Sequence, residues 1–370
     1  MKYNSFTSES VAAGHPDKIC DQISDAILDA VISVDKKGRT GVETLATWEK
    51  LVIAGEVTCA SDIPFEKIAR KVIKDLGYVK PEYHFSDTSE IVVAIHRQSP
   101  DIAQGVDLGG AGDQGMMFGY AVDETKELMP LPIILSHRLV KEMDRLRESK
   151  IIKYLRPDGK SEVKVAYENS IPVGVEKVVI AVPTDPKISV KELHEDIYKK
   201  LVTPILKEYG YKISRKDLVV NGTGKWEIGG PASDTGLTGR KIIADSYGGM
   251  SRIGGGAMSG KDPSKVDRSA AYAARYLAKN IVANKLAKRC EVQLAYVIGY
   301  PKPIAAAVET FGTESKSLHV INDFAFNKLL DLSVKGIVEG LDLRRPIYQE
   351  TARYGHFGRN EFPWEKIVNR

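Results

Sequence analysis

Cysteine is scarce in this chain. Cys20, Cys59 and Cys290 are odd in number and far apart over 370 residues, which excludes a disulfide framework and any CxxC metal site. A reducing cytoplasm is the expected location. Long apolar runs are also missing: no stretch approaches the ~20 apolar residues that span a bilayer, and the opening MKYNSFTSESVAAGHPDK has no apolar signal core. No membrane partner is expected. Nor is there a charge surplus. The 53 Lys+Arg against 49 Asp+Glu leave +4, far short of the basic excess of a protein that coats nucleic acid. Any anion site must therefore be local. What the chain does have is 43% hydrophobic residues, ample for two or three domains at roughly 100–200 residues each.

Three long helix-periodic runs each begin at a proline, Pro16, Pro132 and Pro263, where the missing N–H costs nothing at a first helical position. Ile19, Ile23, Ile27 and Val31 mark the apolar face of the first run, and Val266, Ala270, Ala274, Leu277 and Ile281 that of the third. Two strand-like runs and a second amphipathic helix follow each time. In the first copy these are VETLATW, KLVIAGEVT and FEKIARKVIKDLGY. The second reads EVKVAYE, EKVVIAVPT and VKELHEDIYKKLVTPILKEYGY; the third, EVQLAYVIGY, PIAAAVETFG and NDFAFNKLLDLSVKGIV. Gly77 and Gly210 close their helices where a left-handed turn is wanted. With EIVVAIH, MFGYAV and KIIADS as flanking strands, the chain reads as a threefold repeat of small α/β units.

The chemistry concentrates in GGMSRIGGGAMSGKDPSKVDR, Gly248 to Arg268, where side-chain-free backbone, a helix start and clustered cations make a cradle for polyphosphate. Gly255 to Lys261 nearly fits GxxxxGK[ST], but Asp262 stands where the Mg²⁺-binding hydroxyl should be. Phosphate binding survives that failure; a P-loop fold does not follow. Asp262 reads as the N-cap of a helix opening at Pro263, with Lys261, Lys265 and Arg268 on one face, Asp267 pointing elsewhere, and Arg268 solvated. GAGDQG, Gly110 to Gly115, satisfies GxGxxG but precedes a strand, so it reads as a hinged turn presenting Asp113. In GHPDK, His15 sits in a cap-like turn and Asp17 in the first helical turn. Asp17, Asp21, Asp25 and Asp29 form a stripe expected to be mostly solvated surface, with only Asp17 suited to Mg²⁺ and no special case for Lys18. Glu43 and Glu56 fall in strands; buried, Glu56 would need a cation or a substrate ammonium. NGTGKWEIGGP reads as a glycine-rimmed strand whose Trp226, beside Lys225, stacks on a purine or else packs in the core. GPASDTGLTGRK adds Asp234, Arg240 and Lys241.

FTSESVAAGHPDK, QSPDIAQGVD, GAGDQG, IGGPASDTGLTGRKIIADSYGG and GGGAMSGKDPSKVDRSAAYAARY, in this order, closely resemble the S-adenosylmethionine synthetase (methionine adenosyltransferase) family over nearly the whole chain. The resemblance implies an α/β (α+β) fold of three pseudo-symmetric βαββαβ units, at 1–100, 108–228 and 229–370. It implies a homodimer with shared active sites, a homotetramer being the alternative assembly. The implied reaction is attack of the methionine sulfur on the 5′ carbon of ATP, then hydrolysis of the bound triphosphate to diphosphate and phosphate. Such a step needs alignment and cations rather than a covalent nucleophile.

Carried over by motif, His15, Lys160, Asp113, Arg240, Lys261 and Lys265 are the implied catalytic residues. ATP falls to His15, Asp158, Lys160, Lys225, Trp226, Asp234, Arg240, Lys241, Ala257 and Lys261, and methionine to Glu56, Gln98, Asp234 and Lys265. Two Mg²⁺ fall to Asp17 and Asp267 and one K⁺ to Glu43. Lys225-Trp226 replaces the family's usual Arg-Phe, Met258 a frequent Phe and Ala13 a usual Glu. The segment between Asp107 and Gly110 is shorter than in many members, so faster and less selective substrate exchange is expected. A non-catalytic nucleotide-binding subunit and a P-loop NTPase are the competing readings; intact His15, Asp17, Lys265 and Asp267 weigh against the first, Asp262 against the second.

Overall fold

The computed structural model of the chain describes residues 4–97 and 110–369. Its strands are β1 (Ser5–Val11), β2 (Arg39–Thr47), β3 (Lys50–Thr58), β4 (Glu90–His96), β5 (Gly115–Val122), β6 (Lys160–Glu168), β7 (Ile171–Ala181), β8 (Leu218–Val220), β9 (Gly236–Leu237), β10 (Arg289–Tyr296) and β11 (Ala305–Glu309). They form three sheets, ordered β4-β3-β2-β9, β1-β6-β7-β8 and β11-β10-β5. Each sheet borrows one strand from elsewhere in the sequence. β1 joins the second sheet, β5 the third and β9 the first, so the repeats are locked together in a ring of exchanged strands.

Three long helices fill the centre: α1 (Pro16–Val34), α3 (Leu131–Glu148) and α7 (Val266–Ala283). α1 packs on β2 and β9, α3 on β1 and β6, α7 on β5 and β10. The shorter α2 (Phe65–Asp75), α4 (Val190–Asp196) and α5 (Thr203–Glu208), α8 (Leu318–Asp323) and α9 (Val334–Gly340) follow the strand pairs as the repeat requires. Ile19, Ile23, Ile27 and Val31 are wholly buried, each such side chain worth about 1.5–3 kcal/mol of burial. Gly77 and Gly210 take φ of +92° and +81°, the left-handed closures expected of them. In the third unit the described residues contain no closing strand after β11, which leaves that sheet three-stranded.

Three local expectations fail. KIIADS is no strand: Ile242–Asp245 is a single helical turn, α6, whose Asp245 N–H bonds the Lys241 carbonyl. NGTGKWEIGGP is irregular rather than a strand, its backbone engaging Thr184 through the Trp226 carbonyl. The third long helix opens at Val266, not Pro263, because the Asp262 carboxylate accepts the Ser264 N–H and holds the intervening residues in a separate turn. The C-terminal segment carried no sequence signal, yet it braces α7. Trp364 stacks on Tyr272 at 3.6 Å, and Glu365 takes Arg275 and Lys279 in a buried cluster.

One core group makes stability pH-dependent. His137 of α3 is buried with Nδ1 2.7 Å from the Ser10 hydroxyl. Burial first, then the charges of Arg359 and Lys18, lower its pKa to about 3. The unfolded chain binds that proton near pH 6.5 and the folded chain does not, so this contribution is present above pH 6.5 and is lost as pH falls. Buried carboxylates such as Asp158, raised to about 6 by burial, oppose it in the raw curve. The difference between wild type and His137→Asn isolates it: by denaturant titration, wild type should lose about 2 kcal/mol relative to the variant between pH 7 and 5. A flat difference would show that His137 is not held neutral.

Candidate active site

His15 caps α1, its Nδ1 accepting the Asp17 N–H at 3.2 Å. That bond leaves the proton on Nε2, a neutral donor. Burial, Lys241 and Lys160 together hold the pKa of His15 down at about 3. The loop carrying Asp158 and Lys160 reaches it because Val11 pairs with Lys160 and the Ala12 N–H bonds Gly159 O at 2.9 Å. Asp17 Oδ1 accepts the Leu237 N–H at 2.9 Å, while Oδ2 receives the Lys241 ammonium; Arg240 Nε stands 3.5 Å from Oδ1. Burial works against the Asp17 charge, but the bonds from Lys241 and Leu237 prevail and its pKa lies below the usual range.

The end of the glycine-rich segment forms a second centre against β2, the strand that also pairs with Leu237. Gly260 O accepts the Val42 N–H at 3.1 Å and the Thr40 hydroxyl at 2.9 Å, and Lys261 bridges Gly41. No strand leads into this segment, so the P-loop reading falls. Lys261 pairs with Asp267, and Lys265 Nζ lies 2.6 Å from Asp262 Oδ2. Thus Asp267 points toward Lys261 rather than away from it. Close approach demands glycine in this segment: a Cβ on Gly254 would stand 2.3 Å from Met116 O, one on Gly256 2.2 Å from Asp267 Cγ, and one on Gly260, at φ +81°, 2.0 Å from Val42 O. Gly260→Ala should cost about 1–3 kcal/mol through backbone strain alone, and more through displacement of Lys261; thermal melts and turnover together check this, an unchanged melting curve being the contrary result.

The stripe on α1 is not solvated. Asp17, Asp21 and Asp25 are buried and Asp29 half-buried, and each carboxylate accepts backbone N–H groups from beyond residue 236. Asp17 holds Leu237, Asp21 holds Gly239 at 2.8 Å, Asp25 holds Gly260 at 2.8 Å, and Asp29 holds Tyr348 and Gln349. Arg268, expected at the surface, is wholly buried and bidentate to Asp25 at 2.6 and 2.8 Å. Lys18, given no role, is buried against Asp21 and Asp245. Charges recurring every four residues between apolar positions on a helix entered through GHPDK were the available signal. Amphipathic patterning alone reads them as the wet face, because it does not see a second layer packed there.

The two centres are neighbours. Leu237 pairs with Leu45 and Lys261 with Gly41, four residues or ~13 Å apart along β2 at about 3.3 Å per residue. A Cβ on Gly239 would stand 2.4 Å from that of Ala257, so the two loops touch. A Cβ on Gly115 would lie 3.3 Å from Asp267 Oδ1, which brings GAGDQG and the exposed Asp113 to the same place. Other candidates lie apart from the ion pairs. Lys225 Nζ donates to Pro186 O at 2.7 Å and Trp226 Nε1 to Ile228 O at 2.6 Å; Asp234 is exposed. Asp158 spends its carboxylate on the Gly159 and Gly230 N–H groups, which ties its loop to IGGP. Glu43 and Glu56 share the outer face of the first sheet, Glu56 opposite Gly41. Gln98 and the shortened segment up to residue 109 lie outside the described residues.

Three family models match in sequence order: the S-adenosylmethionine synthetase N-terminal domain at residues 3–100, its central domain at 108–226 and its C-terminal domain at 228–366. The chain belongs to the S-adenosylmethionine synthetase family. The S-adenosylmethionine synthase of Treponema denticola is 50% identical over 373 residues, covering 98% of this chain and 96% of that protein. That of Desulforudis audaxviator is 49% identical over 388 residues, covering 99% and 97%. The chain is therefore an enzyme of the methionine adenosyltransferase class, and the three α/β units are those of the synthetase domains.

Whether these residues suit a divalent cation turns on the number of carboxylates at each centre. Among the described residues no three His, Cys, Asp or Glu side chains gather as a metal cage. Asp17 and Asp267 instead stand as single carboxylates beside lysines, the arrangement for an ion that takes one or two carboxylates and fills its shell with phosphate and water. No helix of the described residues is long and apolar enough to cross a membrane.

Proposed function

We propose that the chain makes S-adenosylmethionine from L-methionine and ATP, and then hydrolyses the bound triphosphate to diphosphate and phosphate before release. One observation carries this reading: two lysine–carboxylate centres, Lys241 with Asp17 and Lys261 with Asp267, share one edge of β2 through touching loops. That row of cations suits a linear polyanion, and the neutral Nε2–H of His15 suits its first phosphate. The methionine sulfur donates an electron pair to C5′ as the C5′–O bond breaks, and the triphosphate leaves with the bonding pair. Catalysis is then alignment plus stabilisation of charge on the leaving oxygen, in which Lys160, Arg240, Lys241, Lys261 and Lys265 act as preorganised cations and Asp113 stands near the reacting atoms. Mg²⁺ held by Asp17 and Asp267 would supply further neutralisation of the triphosphate.

Asp158, Lys225, Trp226, Asp234 and Ala257 complete the nucleotide site in this reading, Glu56, Gln98, Asp234 and Lys265 the methionine site, and Glu43 the K⁺ site. Lys225-Trp226 stands on the loop whose Gly230 N–H bonds Asp158, beside Lys160, which favours a nucleotide role there. The outer face of the first sheet supports a homodimer with shared sites, a homotetramer being the larger alternative. Its edge strand β4, EIVVAIH, exposes Val92 on the face that carries Glu56 and Val93 along its free edge, apolar surface suited to a second subunit. Purified protein given ATP, methionine, Mg²⁺ and K⁺ should yield S-adenosylmethionine with diphosphate and phosphate in equal amounts. ADP with phosphate would mean an NTPase, and binding without turnover a regulatory subunit.

A further inference from the structure

Lys18 makes no contact with the proposed polyphosphate cations themselves, yet it holds Asp245, at one end of the segment that carries two of them, and Asp21, which holds the other end. Its ammonium is buried, 2.8 Å from Asp21 Oδ2 and 2.5 Å from Asp245 Oδ1. Asp21 uses its other oxygen to hold the Gly239 N–H at 2.8 Å, immediately before Arg240. Asp245 donates its own N–H to the Lys241 carbonyl at 2.8 Å, immediately after. Arg240 and Lys241 are therefore bracketed by one aspartate's carboxylate and another's backbone N–H, and the carboxylates of both aspartates meet on Lys18. Gly239, at φ +80° against Ala257, leaves the backbone no side chain by which to fix itself.

The arrangement is expensive if it only holds the fold. Burying three charged groups carries desolvation costs that well-packed apolar residues avoid, and replacing such clusters by apolar side chains is often neutral or stabilising. Its geometry, however, sets the direction from which Lys241 reaches Asp17. Within the reading of this site as a polyphosphate cradle, we infer that Lys18 is a positioning residue: through Asp21 and Asp245 it fixes the backbone of Arg240 and Lys241, so that both cations are in place before substrate arrives. A displacement of about 1 Å in such groups costs on the order of 100-fold in rate.

The test is a double-mutant cycle between Lys18→Met and Lys241→Ala, read as kcat/KM for ATP and as affinity for inorganic tripolyphosphate by calorimetry. Lys18→Met alone should lower both by about 10–100-fold, as loss of an orienting partner does, and Lys18→Arg should restore most of the loss. Added to Lys241→Ala, Lys18→Met should cost clearly less than it does alone, because the share of its action that passes through Lys241 is already lost and only the share through Arg240 remains. An equal fold-loss in both backgrounds, or wild-type values for Lys18→Met, would overturn the inference. Should Lys18→Met fail to fold, Asp245→Asn in the same cycle answers the question, since it loosens one arm and leaves Lys18 in place. Wild-type protein that binds tripolyphosphate but makes no S-adenosylmethionine would sink the enzymatic reading alone, and the binding arm of the cycle would still decide the role of Lys18.

Discussion

Replacing Arg268 by methionine is expected to cost about 3–5 kcal/mol of folding stability, the usual penalty for leaving a buried partner charge uncompensated. The guanidinium is fully buried and every donor is spoken for: Asp25 twice, Thr351 at 2.9 Å, Tyr272 at 3.1 Å and the Lys261 carbonyl at 3.1 Å. Its plane lies over Tyr348 at 4.3 Å. Removing it strands Asp25, which has no accessible surface. Asp25 also holds the Gly260 N–H, so the damage should reach the site as a fall in turnover larger than the fraction unfolded explains. Removing both charges, in Arg268→Met with Asp25→Leu, should recover part of the stability because no ion then remains buried. Urea titration of the three proteins checks this, and a loss below about 1 kcal/mol for Arg268→Met would place the pair with ordinary exposed salt bridges.

Lys261→Ala should behave in the opposite manner, with stability nearly intact and activity largely gone. Its side chain is 28% exposed and its pair with Asp267 is correspondingly screened, so the change in folding free energy should stay near 1 kcal/mol or below. In the proposed reaction the same ammonium meets charge that grows on the leaving triphosphate. Losing one preorganised donor of that kind costs about 100–1,000-fold in turnover. Product formation measured beside a melting curve separates the two effects. A turnover within a few-fold of wild type would remove Lys261 from the machinery and leave the glycine-rich segment a structural tie to β2.

The contrast between these neighbours shows where the sequence could be read. The repeat of long helix, strand pair and second helix was legible because each element advertises its own period, 3.6 or 2, within a dozen residues. Glycines at the helix ends, Gly77 and Gly210, were legible for the same reason, since the need for a left-handed residue is local. KIIADS misled because an apolar run of that length suits a strand or a helix turn, and α6 was chosen by its contact with α1 through Asp245 and Lys18. Arg268 and the Asp stripe misled more seriously. Polar residues at four-residue spacing mark one face of a helix, but whether that face meets water depends on what else packs there.

The sequence by itself determined the elements, the threefold order of the units and the chemical types gathered in the motifs, since backbone preference and side-chain chemistry act within a few residues. Only the tertiary structure decided that the strands are exchanged around a ring, that the loops of Lys241 and Lys261 lie on one edge of β2, and that the carboxylates of α1 are buried acceptors rather than surface. Those outcomes pair residues far apart in the chain, Val11 with Lys160, Arg289 with Val122, Asp17 with Leu237 and Gly41 with Lys261. Such pairs form because a buried N–H or cation must find an acceptor, and which acceptor it finds is fixed by the packing of whole helices and sheets rather than by any neighbouring residue.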